Sequence, residues 1–272
     1  MLNKVQVITE RGLMLELPLA GSPEGYVVED IDGLDPSKAT LISSVLALMD
    51  GEEYQASRGE KRQIIMKLGY AKRHADPVAK RRQKLYAYFM PKSKITLRFF
   101  MVGMPPVDIL GVVEDMDAPM FVKKPLATAY ITCHKPDFYT QDPFIFDSET
   151  VSTPDSESIS YNGTVPSGVK FSMAVDRVLT SFTIHHNFAN GLGSSMEIVG
   201  AFEAGDLIEL ETITGEKGAY LTRGGIRRSI LYAVSPNSDW TNLYPGENTI
   251  RVYSSGAPIP YTIEYREKFG GL

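Results

Sequence analysis

Beyond residue 168 the chain is a succession of short strand-like runs, and that pattern narrows its possible folds more than any other feature. "VKFSMAV", "SFTIHHNF", "SSMEIVG", "LIELETITG", "GAYLTR", "SILYAV", "NTIRVYS" and "YTIEYRE" follow one another at about 8–14 residues. Short, evenly spaced runs of this kind predict a β-sandwich that needs no helix. The stretch "LYPGENTIRVYSSG" (residues 243–256) shows the local logic. Pro245-Gly246 signals a turn, after which Ile250 and Val252 point one way while Thr249, Arg251 and Tyr253 point the other. Such alternation marks a half-buried strand. No internal repeat of fixed period is present.

The first half reads as strands plus one helix. "GLMLELPL", "GYVVEDID" and "ATLISSVLALM" are predicted strands. Asp50-Gly51 follows the last of them, so "RQIIMKLGY" is expected to pair back as the other arm of a long hairpin. Asp76 as N-cap, Pro77 at the first helical position and Pro91 as a stop predict a helix over about 77–89. Val78, Arg82, Leu85 and Phe89 share one face by i, i+3/i+4 spacing, with Lys80, Arg81 and Lys84 off it, so the helix carries a cationic outer face. "KITLRFFM", "VDILGVVEDM" and "KPLATAYITCHKPDFY" complete a β-rich domain over residues 1–140. Residues 141–168 are rich in Ser, Thr, Pro, Gly and Asp and read as a domain border or exposed turns. Residues 141–272 form the sandwich domain. The fold class is therefore mainly β, and 272 residues suffice for two domains.

Composition excludes several classes. Glu10, Arg11 and Glu16 interrupt the opening residues and no run of about 18 apolar residues occurs, so neither a signal peptide nor membrane insertion is expected. A single cysteine, Cys133 in "ATAYITC", excludes an internal disulfide and a cysteine-rich zinc cluster and reads as a buried small hydrophobe. The net charge of −5 hides an asymmetry: residues 51–100 hold 13 basic and 4 acidic groups, whereas residues 1–50 hold 3 and 8 and residues 147–272 hold 9 and 15. Lys72, Arg73, Lys80, Arg81, Arg82 and Lys84 form the candidate basic patch. Nucleic acid or the acidic surface of a neighbouring copy could meet it. A subunit interface is the expected role.

No constellation makes an active site. His185 and His186, with Asp176, Glu197 or Asp206 nearby in sequence, could suggest a metal or acid–base site, but adjacent strand residues face opposite ways and cannot share one ion. "GLGSS" (residues 191–195) lacks the G-x-S-x-G elbow and "ANGLGSSM" lacks the glycine spacing of a phosphate loop. The acidic runs "EDID" and "EDMD" do not follow the spacing of a calcium loop. Trp240 could stack a sugar ring, though a lone Trp before a Pro-Gly turn is more often a cap on the core. An enzyme is not expected, and neither are catalytic residues, metal ligands or a cofactor.

The order of features resembles the distal tail protein family of long-tailed, non-contractile bacteriophages, over nearly the whole chain. The resemblance rests on Gly111, Val112, Val113 and Glu114 leading to Phe121, on the strand ending near Cys133, on Pro136-Asp137-Phe138, and on the turn carrying Leu243, Pro245, Gly246 and Asn248. Phe269-Gly270-Gly271 near the end adds to it. It implies a first domain that builds a hexameric ring and a second, galectin-like sandwich. It also implies an adaptor that joins the tail tube and tape-measure end to tail tip, hub or receptor-binding proteins, leaving a DNA channel without tight DNA binding. Its place would be the virion tail tip, after synthesis in the host cytoplasm. A carbohydrate-binding module contacting the host surface, through His185, Asn187 and Trp240, is the alternative. Against it, sugar-binding galectins carry His-x-Asn-x-Arg and Trp-x-x-Glu-x-Arg, and here Ala189 and Leu243 stand where Arg and Glu would.

Overall fold

The computed structural model describes residues 1–45, 50–151, 156–188 and 191–272. The chain divides into two compact units: residues 1–141 with 269–272, and residues 142–268. The last four residues, grouped with the sandwich in the sequence reading, thus belong to the first unit.

The first unit is built from β1 (Leu2–Thr9), β2 (Met14–Pro18), β3 (Tyr26–Asp32), β4 (Ala39–Ser44), β5 (Glu53–Gly59), β6 (Arg62–Tyr70), α1 (Val78–Tyr86), β7 (Lys94–Met101), β8 (Val107–Asp117), β9 (Leu126–Cys133) and β10 (Phe138–Thr140). Its main sheet runs β2-β1-β7-β8-β9-β6-β3, antiparallel throughout, with β10 beside β8. Strand β1, not among the strands expected from the sequence, buries Val5 and Val7 completely. Alternation along β6 places Ile64, Met66 and Leu68 in the core with Leu85 and Phe89 of the helical segment. In the middle of β8, Gly111 is required by close approach: a Cβ there would lie 2.4 Å from Ile131 Cγ2 and 3.0 Å from Cys133 Sγ. Cys133 is fully buried, and burial pushes its thiol up to about 11. That is the inert state of a packing residue.

Two expectations about this unit are corrected. The arm that pairs with β4 is β5, with Ala39 opposite Gly59 and Ser44 opposite Glu53, while "RQIIMKLGY" is an interior strand between β3 and β9. The end of "ATLISSVLALM", residues 46–49, lies outside the described residues. A run of polar residues, "EYQASRG", makes a strand here because it is exposed along its whole length, so no apolar face announces it. The helix is also shorter than 77–89, and its N-cap is Pro77, with no side-chain cap hydrogen bond. Asp76 instead binds Lys80 at 2.8 Å and Lys84 at 3.0 Å. Those two hydrogen bonds hold its carboxyl down at about 2.

The second unit is the expected sandwich. One sheet runs β11 (Phe144–Glu149), β21 (Pro260–Tyr265), β13 (Ser167–Ala174), β16 (Leu207–Glu211), β17 (Gly218–Arg223) and β18 (Ile226–Ser229), with β19 (Asn242–Leu243) also on β13. The other runs β12 (Glu157–Tyr161), β20 (Gly246–Ser254), β14 (Leu179–Phe188) and β15 (Gly193–Phe202). Their inner faces meet in one core containing Phe171, Phe182, Ile198, Ile250 and Val252. In β20, Ile250 and Val252 are buried while Thr249, Arg251 and Tyr253 are not, as the alternation required. Part of the polar stretch read as a border forms strands β11 and β12. They lie at sheet edges, where polar composition is tolerated. Residues 152–155 of that stretch lie outside the described residues. "SILYAV" is not a strand. A turn at Gly224 and Gly225, with φ of +57° and +78°, completes the β17–β18 hairpin earlier. The chain leaves the sheet after Ser229 into a 3₁₀ turn, Leu231–Ala233.

Candidate functional site

The first candidate surface is the β4–β5 hairpin. Among the described residues it pairs with no other strand, and an isolated two-stranded hairpin is marginal in water. It nevertheless displays Leu41 (68% exposed) and Tyr54 (62%), with Ile42 and Val45 exposed beside them. Exposed apolar residues on an unsupported arm make it a candidate contact surface.

The basic segment that looked like one patch is largely consumed inside the first unit. Arg81 is 3% exposed, not part of an outer cationic face. Its Nη1 donates to Gly25 O at 2.6 Å, its Nη2 to Ala71 O at 3.1 Å, and it lies against the Tyr70 ring. The reason is phase: Arg81, Leu85 and Phe89 are four apart, so the buried stripe runs through Arg81, and Arg82 lies beside it, with Nη2 3.0 Å from Met120 Sδ. Arg62 is buried as well, and Lys80 and Lys84 are both held by Asp76. Lys72 and Arg73 remain exposed, with no ion pair among the described residues.

The second candidate is a cleft of 440 Å³ in the sandwich unit, lined by Phe188, Ser194, Lys217, Asp239, Trp240 and Tyr244, among others. Its wall is rigid. The 234–239 segment runs along β15 through Ser235 N to Glu197 O and Asp239 N to Ser195 O, each at 2.9 Å, and Ser238 Oγ bonds the Glu197 backbone. Asn242 Nδ2 donates to Trp240 O at 3.0 Å. Lys217 Nζ sits 5.5 Å from the centre of the Trp240 ring. Of the alternative glycan residues His185, Asn187 and Trp240, only Trp240 lines this cleft. Lys217 and Asp239 were missed because they lie far apart in sequence and match no motif. Ala189 and Asn190 lie outside the described residues.

The acidic and imidazole candidates are structural. No group of three or more His, Cys, Asp or Glu among the described residues could hold a metal. Asp206, 1% exposed, takes Arg223 Nε and Nη2 at 2.7 and 2.6 Å, and this pairing keeps its carboxyl below the usual range. Asp176 binds Arg177 at 2.9 Å. His185 and His186 face opposite ways. His185 lies opposite Arg251, whereas His186 is fully buried with Nε2 3.0 Å from Asn248 Oδ1. Asn248 explains the Leu-x-Pro-Gly-x-Asn turn: its Nδ2 donates to Tyr244 O and Gly246 O, and its Oδ1 accepts from Tyr244 N. Asn248 Oδ1 is therefore an acceptor, which makes His186 a neutral Nε2–H donor and leaves its buried Nδ1 unpaired.

Burial pushes the His186 pKa below its ordinary value, with the Asn248 hydrogen bond opposing part of the shift. The unfolded chain therefore binds a proton that the folded one resists. Stability supplied by neutral His186 is complete above an unfolded pKa of about 6.5 and declines as pH falls below it, by at most about 1.4 kcal/mol per pH unit. Urea unfolding followed by Trp240 emission should show this acid slope between about pH 6.5 and 5, and His186→Phe should flatten it.

Residues 162–269 match the family described as siphovirus-type tail component, C-terminal domain. No curated protein sequence matches the chain. Among solved structures, the chain is similar to the phage SPP1 Dit (gp 19.1) protein, described as a paradigm of hub adsorption apparatus in phages infecting Gram-positive hosts. The TM-score is 0.66 at 15% identity, covering 97% of this chain and 99% of that one. A chain of the phage P2 baseplate in its activated conformation with Ca matches at a TM-score of 0.51 and 10% identity, covering 100% of both.

Proposed function

We propose that this chain, a member of the distal tail (Dit) family of siphovirus-type tail components, closes into a hexameric ring that joins the tail tube to the tail tip or baseplate. The ring leaves a channel for DNA. The first unit builds it, and the sandwich unit serves the attachment of tip components. The observation that carries this reading is the likeness to a distal tail protein along the full length of both chains. The β4–β5 arm, with Leu41, Ile42, Val45 and Tyr54 exposed on it, supports it, because a heterologous ring joins one surface of each copy to a different surface of the next. Lys72 and Arg73, exposed and without an ion pair among the described residues, would steer the register between copies. Partners are further copies of the chain, the tail tube protein, the tape-measure end, and hub or receptor-binding proteins. DNA passes without tight binding.

Antibodies raised against the chain should decorate the tip of purified phage tails in electron micrographs, and decoration elsewhere on the virion would refute the adaptor role. The arm itself can be tested by Leu41→Glu with Tyr54→Glu. Both residues are exposed, so the monomer's unfolding free energy should change by no more than about 0.5 kcal/mol. Light scattering should nevertheless show assembly weakened by at least about tenfold, or about 1.4 kcal/mol.

A further inference from the structure

We infer that the cleft around Trp240 is a binding site for a neutral saccharide, independent of ring assembly. Three observations converge on it. Its volume of 440 Å³ lies at the small end of the roughly 300–1,000 Å³ typical of small-molecule sites, which suits one or two sugar rings. It carries three aromatic rings, with Tyr244 exposed, Trp240 and Phe188 half-buried, and Phe188 and Tyr244 at 4.6 Å between centroids. Such rings offer flat apolar faces to the C–H face of a pyranose.

The third observation is the state of the polar groups. Trp240 Nε1, Tyr244 Oη, Ser194 Oγ, the Lys217 ammonium and the Asp239 carboxylate form no hydrogen bond or ion pair with one another or with any described residue. The neighbouring Ser238 and Asn242, by contrast, are spent on the backbone of the wall. The cleft therefore presents unused donors and an unused acceptor on a preorganised frame. A sugar hydroxyl both donates and accepts, so adjacent hydroxyls can satisfy Asp239 and Lys217 together. An anion would meet Lys217 but be opposed by Asp239, and a purely apolar ligand would leave both charges desolvated. A neutral saccharide answers every one of these groups, the aromatic faces included.

The sugar-orienting groups differ from those the galectin motifs would supply. They come from the start of β15, from the turn before β17 and from residues 239–244, not from His185 and Asn187. That is why the departures at Ala189 and Leu243 do not bear on this site.

Trp240 is the only tryptophan in the chain, so tryptophan emission reports this cleft alone. The full chain is titrated with lactose, maltose, cellobiose and N,N′-diacetylchitobiose, and with glucuronate and inorganic phosphate as anionic probes. At least one neutral disaccharide should saturate a change in emission, with a Kd on the order of 1 mM. Lys217→Ala and Asp239→Ala, both at exposed side chains, should each weaken that binding by about tenfold while the melting temperature stays within a few degrees. Three outcomes would overturn the inference: no response to any of the four disaccharides, a response to the anions in preference to all four, or binding undiminished in both variants.

Discussion

Arg62→Met is expected to cost about 3 kcal/mol of unfolding free energy in the first unit. Arg62 is 3% exposed, and among the described residues its guanidinium binds carbonyl oxygens of four residues. Nε donates to Pro136 O at 2.7 Å, Nη1 to Gly33 O and Asp35 O at 2.7 and 2.6 Å, and Nη2 to Gly270 O at 2.5 Å. The Phe138 ring lies 4.5 Å from its central carbon. One planar fork thus ties three stretches of chain, including the returning C-terminal residues, to the end of β6. Methionine fills the volume but orphans these acceptors, and each buried unsatisfied group costs about 1–3 kcal/mol, offset in part by no longer burying a charge. Lysine should not rescue, because a single ammonium cannot span acceptors that a rigid fork reaches. Urea unfolding decides it: a loss below about 1 kcal/mol would show that water replaces the guanidinium.

Arg81→Glu is the second large effect. Charge reversal at this position puts a carboxylate against Gly25 O and Ala71 O, where an uncompensated buried charge costs about 3–5 kcal/mol. The first unit should fail to fold at ordinary temperature. Arg82→Glu, one residue on and partly exposed, should stay within about 0.5 kcal/mol of the parent. The contrast separates a structural arginine from a surface one. Equal tolerance of both changes would contradict the buried position of Arg81.

Both arginines show where the sequence was legible and where charge obscured it. Arg62 lies in period-2 phase with Ile64, Met66 and Leu68, so that pattern already placed it on the buried face, whereas the helical spacing admits either Arg81 (i−4 from Leu85) or Arg82 (i−3), and the expectation of Arg82 on the face was the wrong one of the two. The +9 balance of residues 51–100 therefore includes two arginines that are buried and not part of any surface charge. Periodicity is geometric and outranks charge when a guanidinium can be satisfied by carbonyls. The sandwich was readable because its strands alternate, as in β20. Strands β5, β11 and β12 were hidden or misplaced because edge and exposed strands need no apolar face. Of the Trp240 cleft only the tryptophan itself was legible, since Ser194, Lys217 and Asp239 meet it only through folding and no local spacing joins them.

The turn motif carries a related lesson. Leu243, Pro245, Gly246 and Asn248 supported the resemblance as a string of letters, yet the physics sits in one residue. Asn248 replaces backbone partners for Tyr244 and Gly246 and orients His186, while Gly246 takes φ of +98°. The chemistry these residues perform is structural.

The mass of the purified, full-length chain in native mass spectrometry, with electron micrographs of the same sample, tests the central claim most directly. The account predicts a species of six times the 30.1 kDa chain mass, seen as a six-fold ring with an open centre. A chain that stays at 30.1 kDa up to high concentration, and forms no ring when mixed with isolated tail tubes, would contradict it.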